Sequence, residues 1–116
     1  MRATRIGKNG KPQISEKAFT AQVISLAQHL GWKVAHFRPA MDRKGHWKTA
    51  VSGDGVGFPD LVIAKRESNR VIFAELKADG GRITDEQSSW LYELSTGALA
   101  VIWRPSDYEE IERILR

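Results

Sequence analysis

The sequence predicts one mixed α/β domain. Its 116 residues suit a single compact domain with one core. Segments with apolar residues at helical spacing alternate with short β-branched and aliphatic runs, in the order helix, three strands, helix, strand, helix. This order predicts a mixed central sheet that is flanked by helices.

The first helix is predicted from Glu16 to about Leu30. Ser15 can cap its N-terminus and Gly31 can end it. Its apolar stripe comprises Phe19, Val23, Leu26, Ala27 and Leu30. Glu16 falls on the same stripe, so we expect its carboxylate on the core side, where a catalytic acid could lie. The alternative is a first-turn glutamate that only favours the helix dipole.

Three strands are predicted next. Residues 32–38 form the first strand, and a long loop without periodicity follows over 39–57. Residues 61–65 and 71–77 are β-branched and aliphatic runs, and the polar residues 66–70 between them predict a hairpin.

The remainder of the chain predicts a helix, a strand and a helix. A helix is expected over 84–96, followed by a short buried strand over 99–103. The buried face of this helix is expected to comprise Trp90, Leu91 and Leu94. Ser106 and Glu109 form a capping-box pattern, which predicts a last helix over 107–115.

The basic residues are unevenly distributed along the chain. The formal net charge is +4, and four basic residues precede the first acidic residue, Glu16, whereas the other 14 basic residues are balanced by 14 acidic ones. We therefore expect residues 1–14 to form a basic, flexible arm and residues 15–116 to form the single domain. A solvated tail without a binding role is the alternative for this arm.

A second basic cluster lies between Lys33 and Lys48, where histidine and tryptophan residues are interleaved with it. Clusters of this kind are typical of contacts with the phosphates of a nucleic acid. The residues expected to contact DNA are Arg2, Arg5, Lys8, Lys11, Arg38, Arg43, Lys44, Lys48 and Arg82.

Missing residue types exclude several functional classes. The chain has no cysteine, which excludes disulfides, thiolate nucleophiles and the common zinc ligand sets. The three histidines lack the spacing of a helical metal pair. No apolar run reaches the length of a membrane span, and the N-terminus has no apolar signal core. These features predict a soluble, cytoplasmic protein.

Two carboxylates and a lysine form the candidate chemical site. If the predicted hairpin turn centres between Glu67 and Ser68, Asp60 lies opposite Glu75, with Cβ atoms within about 5 Å. Like charges repel each other in this position, and a divalent cation between them removes the repulsion. Lys77 shares the face of Glu75, so its ammonium can orient an attacking water and stabilise the charge that develops on a phosphate.

Mg²⁺ is the expected cation because the available ligands are hard oxygens, and Mn²⁺ can substitute for it. The expected ligands are Asp60, Glu75 and the backbone carbonyl of Leu76, with Glu16 acting through a water. Gln87 is a further candidate, although the series Thr84 to Gln87 also forms a capping-box pattern. Helix capping alone is therefore an alternative role for Gln87.

Pro59-Asp60 followed by Glu75-Leu76-Lys77 resembles the signature of PD-(D/E)xK nucleases. From Ser15 to the C-terminus, the chain is similar to a stand-alone VRR-NUC (virus-type replication-repair nuclease) domain. The similarity includes Gly31-Trp32, Gly57-Phe58-Pro59-Asp60-Leu61, Phe73-Ala74-Glu75-Leu76-Lys77, Thr84 with Gln87, and Trp103-Arg104-Pro105-Ser106.

The resemblance implies a restriction-endonuclease-like core, dependence on Mg²⁺ or Mn²⁺, and hydrolysis of phosphodiester bonds in DNA rather than of a small molecule. The catalytic residues that it implies are Glu16, Asp60, Glu75, Lys77 and Gln87. Single-domain members of viral or prophage type resemble Holliday-junction resolvases, which implies a homodimer acting on branched DNA in phage replication, recombination or repair. Two alternatives stay open: a nicking or end-processing nuclease without junction preference, and a non-catalytic DNA-binding module.

Overall fold

The computed structural model describes residues 13–37, 40–41, 43–45, 47–48 and 52–116. The order of the helices and large strands that the sequence predicts is confirmed. The elements are α1 (Glu16–His29), β1 (Lys33–His36), β2 (Ala40–Met41), β3 (Trp47–Lys48), β4 (Leu61–Lys65), β5 (Arg70–Leu76), α2 (Asp85–Leu94), β6 (Leu99–Trp103) and α3 (Tyr108–Leu115).

Four strands form a mixed sheet in the order β1, β4, β5, β6. Strand β4 is antiparallel to both of its neighbours, β1 and β5, whereas β6 is parallel to β5. Leu61 pairs with Ala74 and Lys65 pairs with Arg70, which is the hairpin register predicted from the sequence. Asn69 ends the turn with a φ of 56°, in the left-handed region that asparagine tolerates well.

One face of the sheet forms the core together with α1 and α3. Successive residues of a strand point to opposite faces, and Ile72, Ala74 and Leu76 of β5 are all buried on this face. The other members of the core are Phe19, Val23, Ala27, Trp32, Leu61, Ile63, Trp103, Ile111 and Leu115. Alternation along β5 therefore places Glu75 on the opposite face, which α2 covers.

Side-chain hydrogen bonds hold the ends of the helices on the core side. Ser15 caps α1 as predicted, because its hydroxyl accepts the N–H of Ala18. The indole nitrogen of Trp32 donates to the carbonyl of Leu115 at 2.8 Å, joining the start of β1 to the end of α3. The ammonium of Lys65 donates to the carbonyl of Leu30, which ties β4 to the end of α1.

The inner face of α2 comprises the predicted residues, but α2 and β6 are less buried than the sequence predicts. α2 has no fully buried residue, and Trp90, Leu91 and Leu94 are half-buried, because the main elements that this helix contacts are β5 and β6. In β6 only Trp103 is fully buried, because this strand is at an edge of the sheet.

The last helix lies within one residue of its predicted bounds, but its cap differs from the prediction. α3 begins after a 3₁₀ turn over Pro105–Asp107, and no side chain caps its first turn. The hydroxyl of Ser106 donates to Asp79 Oδ1 at 2.9 Å instead. The predicted capping box of Ser106 and Glu109 is therefore wrong, because Asp107, at the end of the 3₁₀ turn, is the residue that precedes α3.

The loop predicted over 39–57 contains a small hairpin in which Ala40 pairs with Lys48 and Met41 with Trp47. Strands of two residues are too short to produce a recognisable alternation in the sequence.

Among the helices that the structure describes, none has both the length and the apolar character needed to cross a membrane.

Replacing Trp32 with phenylalanine should lower the free energy of unfolding by about 1–3 kcal/mol, because the buried carbonyl of Leu115 loses its donor. Urea unfolding followed by circular dichroism measures the change. Tyr92→Phe is the control, because this side chain is 76% exposed, and its effect should stay within about 0.5 kcal/mol. Equal stability of Trp32→Phe and the wild type would contradict the expectation.

Candidate active site

Two carboxyl groups meet where the β4–β5 hairpin opens. The paired residues end at Leu61 and Ala74, so Asp60 and Glu75 are the next residues of the two strands on that side. Asp60 Oδ2 accepts the backbone N–H of Leu76 at 2.9 Å. The Asp60 carboxylate is therefore held against the backbone of β5, beside Glu75, as the sequence predicts.

Glu75 is buried although it carries a carboxylate, with 2% of its surface exposed. Its Oε1 accepts a hydrogen bond from Gln87 Nε2 at 2.8 Å and lies 3.9 Å from Lys77 Nζ. Its Oε2 is buried and has no hydrogen-bond partner among the residues that the structure describes. An unpartnered buried carboxylate oxygen is costly, so this atom is the clearest sign of a binding site in the fold.

The environment raises the pKa of Glu75 from 4.5 to about 8. Burial is the largest cause, because it penalises the charged form. The neighbouring carboxyl group of Asp60 raises the pKa further, through its negative charge and because it favours a proton held between the two acids, and the charge of Glu16 adds to this effect. Only the charge of Lys77 lowers it. The two acids therefore oppose each other's ionisation in the absence of a cation.

Gln87 caps α2 and also contacts Glu75, so helix capping is not its only interaction. Its Oε1 accepts the backbone N–H of Thr84 at 2.9 Å, and its own backbone N–H binds the hydroxyl of Thr84, which completes the capping box. Its Nε2 remains available and donates to Glu75. The helix cap thus fixes the amide that holds Glu75 Oε1.

Glu16 is solvent-exposed rather than directed into the core. The sequence expectation is wrong on this point because Glu16 begins α1, whereas the buried stripe of the helix starts at Phe19. The charge of Glu16 nevertheless acts on the pKa of Glu75. Its effect is the smallest of those that act on this pKa.

The residues expected to contact DNA are only partly described. Arg43, Lys44 and Arg82 are exposed, and Lys48 lies in β3. The remaining members, which are Arg2, Arg5, Lys8, Lys11 and Arg38, lie outside the described residues. Gln13 and Ile14, at the end of the predicted arm, contact the domain: Gln13 donates to the carbonyl of Asp79, and Ile14 packs against the core.

The donor set fits a hard divalent cation. Within the described part of the chain, no group of three or more histidine, aspartate or glutamate side chains is placed to hold a metal. Mg²⁺ needs fewer protein ligands than that, since it binds through one or two carboxylates and keeps several waters. Asp60 and Glu75 supply two carboxylates. The N–H and C=O of a strand residue point to the same edge, so the carbonyl of Leu76 faces the same side as its N–H, which binds Asp60.

Gly57 begins the Gly-Phe-Pro-Asp series of the predicted motif, but the sequence analysis assigned it no role of its own. Its φ is +85°, and a Cβ atom added to it would lie 2.6 Å from the Cβ of Glu86 and 2.8 Å from the backbone nitrogen of Gln87. The same loop contacts α2 again where Trp90 Nε1 donates to the carbonyl of Asp54 at 2.8 Å. Gly57 therefore allows the loop that leads to Asp60 to pack against the first turn of α2.

Gly57→Ala should destabilise the fold more than Gly80→Ala does. Both glycines have a φ of +85°, but an added Cβ meets backbone only at Gly57 and nothing within 4 Å at Gly80. The left-handed conformation costs about 1–2 kcal/mol in each case, and the clash with α2 adds to it only at Gly57. Urea unfolding of the two variants measures the difference, and equal losses would show that the close approach is unimportant.

Without divalent cations, the stability should fall as the pH rises from about 4.5 to about 8. In this range the folded state keeps the Glu75 proton and the unfolded state releases it, so stability decreases as the pH increases. Thermal unfolding in EDTA across the range measures the effect. Glu75→Gln removes the titrating group, so the fall should be smaller in that variant. Parallel pH profiles for the two proteins would disprove the assignment.

The family model of the VRR-NUC domain matches residues 18–102. The matched range contains Asp60, Glu75, Lys77 and Gln87, and it begins two residues after Glu16. No curated protein matches the chain, and no solved structure does. The family match covers most of the 116 residues and confirms the resemblance seen in the sequence. The chain therefore belongs to the VRR-NUC family of nucleases.

Proposed function

We propose that this nuclease is an Mg²⁺-dependent endonuclease that hydrolyses phosphodiester bonds in DNA, with Mn²⁺ as a substitute. The observation that carries the proposal is the buried, unpartnered Oε2 of Glu75 beside the carboxylate of Asp60. Two facing acids with an unsatisfied oxygen are stabilised when a cation binds between them. The ligands would be Asp60, Glu75 and the carbonyl of Leu76, with Glu16 acting through a water.

The protein groups around these acids hold them in place. Gln87 holds Oε1 of Glu75, and the N–H of Leu76 holds Oδ2 of Asp60. Each carboxylate is therefore oriented before a ligand arrives, which reduces the entropy lost on binding. A divalent cation at this position supplies Lewis-acid polarisation of the scissile phosphate and lowers the pKa of a bound water.

Lys77 supplies a positive charge at the reacting phosphate. Its side chain is 18% exposed and lies on the face of β5 that carries Glu75. In the reaction, a water oxygen bonds to phosphorus and the water loses one proton, while the bond from phosphorus to one sugar oxygen breaks and that oxygen takes up one proton. Negative charge accumulates on the phosphate during this exchange, and the ammonium of Lys77 stabilises it.

The basic residues support DNA as the substrate. The excess of positive charge lies in the predicted N-terminal arm, and exposed Arg43 and Arg82 extend it to the described domain. The resemblance to single-domain viral and prophage members supports branched DNA as the preferred substrate, in the replication, recombination or repair of phage DNA in the bacterial cytoplasm. A homodimer would present two such sites to two strands of one junction.

Cleavage of a labelled four-way junction and of a linear duplex of matched sequence tests the proposal, with Mg²⁺, with Mn²⁺ and with EDTA. We expect cleavage only with metal. Asp60→Asn and Glu75→Gln should each lose more than about 100-fold in rate, and Gln87→Ala about 10- to 100-fold, because it only supports a ligand. Glu93→Gln, an exposed acid on α2, is the control and should keep its activity.

The pattern of cuts distinguishes the three candidate functions. Paired, metal-dependent cuts near the branch point support a junction-specific dimer. Equal cutting of both substrates contradicts the junction preference and identifies a nicking or end-processing nuclease. Binding without cutting under either metal contradicts catalysis and identifies a DNA-binding module.

A further inference from the structure

The loop between β5 and α2 connects two parts of the site. It starts directly after Lys77 and leads to the helix that carries Gln87. The loop contains Gly80 and Gly81, and Gly80 has a φ of +85°. Glycine pairs give a chain many accessible conformations, so this connection needs external contacts in order to fix Lys77 and Gln87 relative to each other.

One arginine side chain supplies such contacts. Nη1 of Arg104 donates to the carbonyl of Ala78 and to the carbonyl of Gly81, each at 2.8 Å. The N–H of Gly81 also donates to the carbonyl of Ala78 at 2.9 Å, which closes the turn. Arg104 thus binds both ends of the tight turn over residues 78–81.

Arg104 is itself fixed in the fold. It follows Trp103 of β6, whose carbonyl accepts the backbone N–H of Lys77 at 3.0 Å. Its own backbone N–H donates to Asp107 Oδ2 at 2.9 Å. The next segment reaches the same loop again, because the hydroxyl of Ser106 donates to Asp79 Oδ1. The end of β6 therefore forms a rigid support for the loop.

The side chain of Arg104 is used for hydrogen bonding rather than for an ion pair. Among the described residues, its guanidinium bonds are made to the two neutral carbonyls alone. The planar guanidinium presents several N–H groups in a fixed geometry, whereas a lysine ammonium is a flexible point charge. An arginine at this position therefore suits the holding of two carbonyls in one arrangement.

We propose that Arg104 is a positioning residue for the nuclease site, acting through the loop over 78–81 on Lys77 and Gln87. It holds the ammonium of Lys77 beside Glu75, and it holds α2 in the position from which Gln87 donates to Glu75. The kinetic part of this inference rests on the proposed function. The structural part is independent of it, because the loop and the amide of Gln87 can be observed without any substrate.

Three variants test the proposal. Arg104→Ala removes both bonds, and Arg104→Lys keeps the charge but loses the planar donor group. Arg113→Gln is the matched control, because Arg113 is an exposed arginine on α3 whose ion pair is with Glu110 of the same helix. Glu110 and Arg113 take no part in the candidate site.

The first measurement is spectroscopic and needs no activity. The side-chain amide signal of Gln87 in a nitrogen-15 NMR spectrum, identified by its loss in Gln87→Ala, should shift in Arg104→Ala and stay unchanged in Arg113→Gln. Hydrogen exchange of the Gly81 amide should accelerate in Arg104→Ala, while the amides of β5 stay protected. An unmoved Gln87 signal with unchanged Gly81 exchange would overturn the proposal.

The second measurement is kinetic. In Arg104→Ala, kcat should fall about 10- to 100-fold with KM nearly unchanged. Arg104→Lys should remain impaired, and added guanidinium should restore part of the kcat of Arg104→Ala. A raised KM with a smaller salt dependence and an unchanged kcat would instead identify Arg104 as a phosphate contact. A lower melting temperature with exchange raised throughout the domain and an unchanged kcat would identify a purely structural role.

If the wild-type protein cleaves no DNA with either metal, the proposed function fails. The Gln87 signal and the Gly81 exchange would then decide the structural part, since both report on Arg104 without catalysis. The two failures are therefore distinguishable.

Discussion

A carboxylate buried on the second face of the sheet imposes most of the arrangement around it. Glu75 lies between Ala74 and Leu76, which are both in the core, so strand alternation directs it to the face that α2 covers. Burial and the charge of Asp60 disfavour its ionised form. The hydrogen bond from Gln87 and the charge of Lys77 oppose this cost, but Oε2 stays unsatisfied in the described fold. The fold thus keeps a local instability that a bound cation would relieve.

The two faces of the sheet have different roles. The face toward α1 and α3 is apolar, and buried side chains there stabilise the domain. The face toward α2 is only half-covered, and its polar groups are fixed individually by hydrogen bonds. This division explains why the site can contain repelling acids: the stability of the domain comes from the opposite side of the same strands. Functional sites commonly depend on such support from the rest of the fold.

The position of α2 depends on contacts from three separate segments. Gln87 binds Glu75 of β5, the Gly57 loop packs on the first turn of the helix, and Arg104 holds the loop that enters it. Each contact also involves a part of the chain next to the site. β5 carries Glu75, the Gly57 loop leads to Asp60, and the loop that Arg104 binds follows Lys77. A displacement of α2 would therefore alter the contacts that its first turn makes with Glu75 and with the loop leading to Asp60.

The sequence alone determined the features that depend on local pattern. Residue alternation and the turn fixed the register that brings Asp60 to Glu75, and spacing within one helix turn fixed the capping box of Thr84 and Gln87. Only the tertiary structure decided which surfaces are covered and which distant groups meet. It exposes Glu16, leaves α2 half-buried, joins Ser106 to Asp79 and places Arg104 on the loop after Lys77. Such contacts join residues far apart in the chain, and no local periodicity encodes the distance between them.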